Sequence, residues 1–555
     1  MAKSTLFFFC LILLFMPFSH VRCADAVKQQ DALLKPTEPY GGDIRRLDNG
    51  KQIWLEHASE TYDRPVKRDH VFSNLPELLK GKGYILSPFE YSEALVEEEG
   101  YVYVITPTPV EAHMGSGRYS SKSAAGSVVP YFRNLPAQGF ELMEDIPEFK
   151  ISETVEETVA VYRKYAKKGD TIRYGKHSWG VTIGRLPSGY DENKEAEPKT
   201  VQLVKTPSTI YFQPGQEYAY SSRTYQAIPG IEVTPKGRLW ATWVADNTGD
   251  YTEGPRNFLV IVTSGDGGKT WSDPPQLAIQ HPAWPVASID AVPWKDPSGR
   301  MWLFWTQCDV LMGKHDSWAM STENPDAEKP SWSKPMGVGR GTLLNKPTVL
   351  STGEWLLPSS PRGNPVDVYI SKDKGKTISH FSEATVPNAG WNEHMIIERK
   401  DGSLWMLVRS WAPRSGISQT SSLDRGKTWS QGELFRPGPS TRFHIRRLKS
   451  GRLLLIYHPL DPETPGRRNK MTAYLSEDEG KTWPYELLLY GGNCSYPDAT
   501  ESDDGVIYVI HDADGRKNRM NIAFSSFTEE DIMAGKLVNK NSRLGVIISG
   551  RDMKK

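Results

Sequence analysis

The stretch "SGDGGKTWSD" (residues 264–273) decides the fold, because the chain spells it again. Near copies are "SLDRGKTWSQ" (422–431) and "SEDEGKTWPY" (476–485), with a weaker one, "SKDKGKTISH", at 371–380. Between the first copy and Ser371 lies a longer, degraded version, "STENPDAEKPSWSKP" (321–335), with Trp332 in the Trp place. The repeat returns about every 50–57 residues, a period that signals a propeller or solenoid of repeated units. Each residue type in the turn has a physical job. The Asp accepts hydrogen bonds from the backbone N–H groups that follow it, and the Gly permits a left-handed kink. The Trp ring packs between strands, and Ile378 standing for Trp in one copy is a tolerable apolar swap. The turn reads as structural, not catalytic.

Between the copies the chain is β. "GRLWATWVAD", "GRMWLFWTQC", "GSLWMLVRSW", "GRLLLIYHPL" and "GVIYVIHDAD" each follow a glycine and are rich in apolar, aromatic and β-branched residues. Runs of this kind fit strands buried on both faces. One such run and one turn per period predict four-stranded blades, and the repeat region, residues 215–525, holds about six of them. A helix is expected at "FTEEDIMAGKL", where Thr528 caps and Asp531 completes a box-like pattern.

The rest of the chain divides by composition. Residues 1–26 pattern as a secretory signal peptide, with one Lys, an apolar run too short to span a membrane, and Ala24-Asp25-Ala26 as cleavage site. Residues 27–200 lack the repeat and read as a smaller, mainly β accessory domain with a helix at "ETVEETVAVYRKYAKKGD" and a polar linker, "GYDENKEAEPKT", at its end. A carbohydrate-binding role is one reading of it. Residues 201–555 form the propeller domain. Lys+Arg and Asp+Glu both number 67, so no charge excess favours nucleic acid or an anionic membrane. Outside the signal peptide the cysteines are Cys308 and Cys494. Export permits a disulfide between them, and two separate buried thiols fit equally well. No zinc pattern is present.

The turn resembles the Asp-box, or BNR repeat, of sialidases (neuraminidases) and their relatives, a superfamily of six-bladed propellers. The resemblance extends to other positions. "NEHMIIERKDGSLWMLVRS" places Glu393 before a strand that ends in Arg409. "RNKMTAYLSEDEGKTW" places Arg468 ahead of an Asp-box Ser, and "SYPDATESDDGVIYVI" places Tyr496 at the start of the next blade. The resemblance implies a Tyr496 nucleophile activated by Glu393, because a carboxylate nucleophile is repelled by the carboxylate of sialic acid. Arg409 and Arg468 would grip that carboxylate. The proton donor would be an Asp on the loop "ADNTGDYTEGPRN". Asp250 fits best, with Asp246 and Asp290 as other inward candidates.

Two departures stand out. The family's Arg-Ile-Pro motif reads "YQAIP" here, so Ala227 replaces the third carboxylate-binding arginine, and Arg223 is the nearest stand-in. His394, beside Glu393, is a further candidate for substrate contact. Arg442, His444 and Arg446 alternate along "TRFHIRRL", and so share one strand face that either binds an acidic sugar or is solvated. Trp391 and Trp411 are candidate sugar-stacking rings. The expectation is an all-β, secreted or periplasmic glycoside hydrolase that takes a terminal acidic sugar from a glycan. It needs no cofactor or metal, binds no nucleic acid and has no membrane span. A uronate-directed polysaccharide lyase and a non-catalytic glycan-binding propeller remain the alternatives.

Overall fold

The computed structural model describes residues 30–37, 43–53, 71–86, 93–107, 120–122, 128–130, 135, 138–153, 158–173 and 180–192 of the N-terminal region. Of the remainder it describes 203–247, 254, 256–283, 286–309, 314–361, 363–390, 393–411, 415–464, 466–514 and 521–550. The chain separates into two compact units. One comprises the described residues from 30 to 192, and the other those from 203 to 550. The segment expected to be a signal peptide lies outside the described residues, and so does most of the expected linker. Among the described residues no helix is long and apolar enough to cross a membrane.

The N-terminal unit is antiparallel β. A seven-stranded sheet packs one face on a three-stranded sheet formed by Leu33–Pro36, Glu93–Glu98 and Thr171–Arg173. The helix expected around residue 160 is instead the strand Thr158–Ala166. Its residues alternate between two cores: Val159 and Val161 join one, Ala160 and Tyr162 the other. This is a period of two carried by β-branched and aromatic residues, and it overrides the helix-forming Glu, Lys and Ala around it.

The second unit is a ring of six antiparallel blades. Their first strands are Tyr225–Val233, Val286–Lys295, Thr348–Val349 (preceded by Thr342–Leu343), Met395–Glu398, His444–Arg447 and Cys494–Glu501. These contact one another in succession, and Cys494–Glu501 returns to Tyr225–Val233. The ring closes by packing. Ile510, Ile522 and Phe524 of the sixth blade share a core with Ile231, Trp243 and Val260 of the first. An extra strand, Thr209–Phe212, pairs with the outer edge of the first blade.

The four Asp-boxes sit where the third strand of a blade ends. In the first, Ser264 Oγ donates to Asp266 Oδ1 at 2.8 Å and accepts from Gly268 N at 2.8 Å, while Thr270 N and Oγ1 donate to Asp266 at 3.0 and 2.7 Å. The same bonds recur around Asp373, Asp424 and Asp478. The glycine does more than turn. At Gly375 φ is +84°, and a Cβ would lie 2.5 Å from Trp302 of the preceding blade. At Gly480 a Cβ would lie 2.7 Å from Trp405, again of the preceding blade. The box is thus a clip between blades as well as a hairpin turn. In the degraded copy Thr322 and Asn324 replace Ser and Asp, and Trp332 packs edge-on against Trp240. In the sixth blade the helix Glu529–Ala534 takes the place of the box, with the Thr528–Asp531 capping box present.

Candidate active site

The site follows from the register of the blades. In each blade the last residue of the first strand pairs with the first residue of the second: Val233–Leu239, Lys295–Met301, Val349–Trp355, Glu398–Leu404, Arg447–Leu453 and Glu501–Ile507. Counting back five residues from each pair (233 to 228 in the first blade) reaches one level of the ring: Ile228, Asp290, Leu344, Glu393, Arg442 and Tyr496. Counting forward five along the second strands (404 to 409 in the fourth blade) reaches Val244, Thr306, Ser360, Arg409, His458 and Asp512. Pseudo-symmetry therefore places Asp290, Glu393, Arg442 and Tyr496 at equivalent positions of the first strands and Arg409 at such a position of a second strand.

Three members of the first ring share a special backbone. Ile228, Asp290 and Tyr496 have φ of 56°, 56° and 54°, each at a break in strand register. The left-handed region is costly for non-glycine residues, and most of all for a β-branched one such as Ile228. A bulge of this kind re-aims a side chain out of the alternation of its strand. This is how Tyr496, in the middle of a buried strand, is turned toward the arginines.

Around Tyr496 the polar groups converge. Arg409 Nη1 donates to Glu393 Oε1 at 2.6 Å and lies 3.4 Å from Tyr496 Oη. Arg409 Nε donates to Ser440 Oγ at 3.1 Å. The Arg468 guanidinium lies over the Tyr496 ring, 5.7 Å from its centre, and its Nη2 donates to Ser440 O at 2.9 Å. Glu393, Arg409 and Tyr496 are all buried. Burial alone would loosen the Arg409 proton, but the Glu393 carboxylate and the Tyr496 hydroxyl more than offset it, so the guanidinium stays charged. Glu393 Oε2 has no hydrogen-bond partner among the described residues, so one oxygen of this carboxylate is anchored and the other is available. A phenol, a half-anchored carboxylate and two guanidinium groups make an arrangement suited to nucleophilic attack beside an anionic group.

The second ring adds groups that the motif reading did not find. Asp512 is buried, accepts from Ser495 Oγ at 2.7 Å, and is pushed up to about 6 by burial despite Ser495 and Arg468. His458 is buried and brought down to about 4, and its Nδ1 lies 2.8 Å from Asn469 O.

Around Arg442 of the first ring lies a buried charged cluster. Asp498 accepts from Ile231 N at 2.8 Å, lies 3.4 Å from Lys346 Nζ, and approaches His444 Nδ1 at 3.0 Å and Arg442 Nη2 at 3.6 Å. Glu232 faces the same Lys346 at 3.3 Å. Arg442 and His444 are therefore not on a solvated outer face. They are buried in the channel, because these first strands line the axis of the ring, and Arg446 reaches Ala499 O beside them.

Residues 237–509 match the model of the BNR repeat-like domain. A sialidase from Micromonospora viridifaciens is 24% identical over 341 residues, covering 51% of this chain and 49% of that protein. The chain is thus similar to BNR-repeat proteins and to a sialidase over about half of its length. The match spans about half the length of that curated relative. Among solved structures, a protein of unknown function from Dyadobacter fermentans shares 19% identity at a TM-score of 0.46, covering 58% of this chain and 98% of that one. The NanB sialidase of Streptococcus pneumoniae shares 13% at 0.47, covering 90% and 95%.

Within this BNR propeller the candidates separate. Glu393, Arg409, Arg468 and Tyr496 come together. Arg223 does not join them. It lies in the seam between the first and sixth blades, donating to Tyr218 O at 2.9 and 3.1 Å and to Gln226 Oε1 at 3.2 Å, with Ser549 Oγ at 3.4 Å. The 3-10 turns Gln216–Tyr218 and Tyr220–Ser222 precede it and carry it off the line of the strand. Asp246 is engaged with Thr224, and Asp290 stands in the first ring. Asp250 and Trp391 lie outside the described residues. His394 is buried, and its carbonyl accepts from Asn345 Nδ2 at 2.9 Å. Trp411 is 42% exposed, with the Arg409 guanidinium 5.3 Å over its ring. Cys308 and Cys494 are buried thiols of the second and sixth blades that form no disulfide. Cys308 Sγ lies 3.0 Å from His315 Nε2, and burial pushes Cys494 up to about 12.

Proposed function

We propose that the propeller is an exported glycoside hydrolase of the sialidase type that releases a terminal acidic sugar, sialic acid or a relative, from glycans. The observation that carries this reading is the junction at Arg409 Nη1, which holds the Glu393 carboxylate at 2.6 Å and the Tyr496 hydroxyl at 3.4 Å. In this reading Tyr496 Oη bonds to the anomeric carbon while Glu393 takes the phenol proton through its available oxygen. The aglycone oxygen leaves with a proton from Asp250. Water then reverses the steps, cleaving the tyrosyl bond with retention. Arg409 and Arg468 neutralise the sugar carboxylate. Tyrosine avoids the repulsion that a carboxylate nucleophile meets there.

Replacing Asp250 and Asp290 separately tests which carboxylate is the acid. Loss of the acid slows substrates with poor leaving groups far more than activated aryl glycosides, and equal losses on both classes count against that residue. The hydrolase reading itself is tested by Tyr496→Phe and Glu393→Gln. Each should lower kcat by a factor of 100 or more, on the order expected for loss of a nucleophile or its base. Unchanged turnover in either variant would end the assignment.

A further inference from the structure

Ala227 stands where the first blade would supply a third cationic arm, and Arg223 is spent in the seam. Yet the channel holds another guanidinium. Arg442 is the fifth-blade member of the ring that contains Glu393 and Tyr496, and its blade lies between theirs. Its side chain crosses the channel. Nε donates to Asn345 Oδ1 of the third blade at 2.9 Å, and Nη1 donates to Pro229 O of the first blade at 3.3 Å. Pro229 follows Ala227-Ile228 directly, so the guanidinium ends beside the place the absent arm would occupy.

Two further observations point to an anion. Arg442 is 1% exposed, and its Nη2 makes no hydrogen bond among the described residues, only a 3.6 Å approach to Asp498. A buried guanidinium N–H without an acceptor is costly, and a bound carboxylate relieves that cost. The one carboxylate that approaches Arg442 is also shared: Asp498 faces Lys346 and His444 as well, while Glu232 faces Lys346, and His444 is brought down to about 4 by burial and so neutral near pH 7.

We propose that Arg442 is the third cationic arm of the carboxylate-binding group, delivered from the fifth blade across the channel in place of an arginine at Ala227. The inference rests on the acidic-sugar reading above and deepens it. The clamp would then grip the substrate anion from a different side than an arm on the first blade. Its consequence is selectivity for the charge of the sugar, separate from turnover.

The test measures binding by calorimetry on the full chain. The probes are 2,3-unsaturated sialic acid and its methyl ester, with glucuronic acid and its methyl ester as a second pair. Arg442→Gln, which keeps hydrogen-bond donors for Asn345 and Pro229, should weaken whichever acid binds by ten-fold or more and leave its ester within two-fold. Arg442→Lys should restore part of the difference. Adding Ala227→Arg to Arg442→Gln should recover acid binding if both positions reach one anion. Acid and ester weakened equally, neither weakened, or no preference for acid over ester in the parent protein would each overturn the assignment. Aryl sialoside turnover is scored in parallel. Its absence, with charge selectivity intact and dependent on Arg442, would sink the sialidase reading while leaving the third arm standing.

Discussion

Asp498→Asn probes the channel cluster most sharply. Asp498 is fully buried, and its oxygens serve Ile231 N, Lys346, His444 and Arg442, which belong to the first, third and fifth blades. Asparagine keeps the shape and an acceptor for Ile231 N but removes the charge. Glu232 still faces Lys346. Arg442 is then left without a carboxylate inside the protein. Removing one partner of a buried pair costs about 3–5 kcal/mol. The propeller unit of roughly 350 residues unfolds with an entropy on the order of 0.7 kcal/mol/K, at about 2.1 cal/mol/K per residue. The substitution should therefore lower Tm by about 4–7 °C, read by calorimetry or near-ultraviolet circular dichroism. Arg442→Met in the same background removes the stranded charge and should recover at least about 1 kcal/mol, as coupled neighbours do. A Tm within about 1 °C of the parent, or no recovery in the double variant, would refute the view that these side chains hold the blades together as charges.

Other consequences are as direct. His444, His458 and His511 are all brought down to about 4 by burial, so between pH 6.5 and 4 the unfolded chain binds protons that the native one refuses. Asp512, raised to about 6, opposes one of them, and Glu501 and Asp367, raised by burial, oppose them further toward pH 4, so a net of at most about two protons predicts stability falling by up to about 2.7 kcal/mol per pH unit on acidification through this window. A flat Tm between pH 6.5 and 4.5 would contradict it. Gly375→Ala places a Cβ against Trp302 at a φ of +84° and should cost at least about 2 kcal/mol, whereas Gly237→Ala, with open space around its Cβ, should cost only the backbone strain. Equal losses in chemical denaturation would show that the box glycine is only a turn residue.

Much of the propeller was written in the chain, and the reason is repetition. Each Asp-box ends a third strand, so five copies announce the blades before any strand is assigned. Glu393, Arg409, Arg468 and Tyr496 were legible because each keeps a set distance from a box or from a Gly-turn. What failed was local. Arg223 looked close enough to Ala227 to replace an arginine there, but two 3-10 turns direct it into the seam. The left-handed bulges at Asp290 and Tyr496 cannot be read from strand alternation, which would have turned these side chains another way. Asp512 was missed because the sixth blade has a capped helix where a box would have supplied the count. The same five-residue offset, applied from strand pairs instead of boxes, finds Asp512, His458 and Arg442 together.

The central claim is that Tyr496, set between Glu393 and two arginines, is the nucleophile of an acidic-sugar hydrolase. Its most direct test is release of the aglycone from an aryl α-sialoside by the purified protein, with Tyr496→Phe assayed alongside. The account predicts steady release by the parent and loss of at least two orders of magnitude in the variant. No release by the parent, an unsaturated ultraviolet-absorbing product from uronate glycans instead, or equal release by Tyr496→Phe would contradict it.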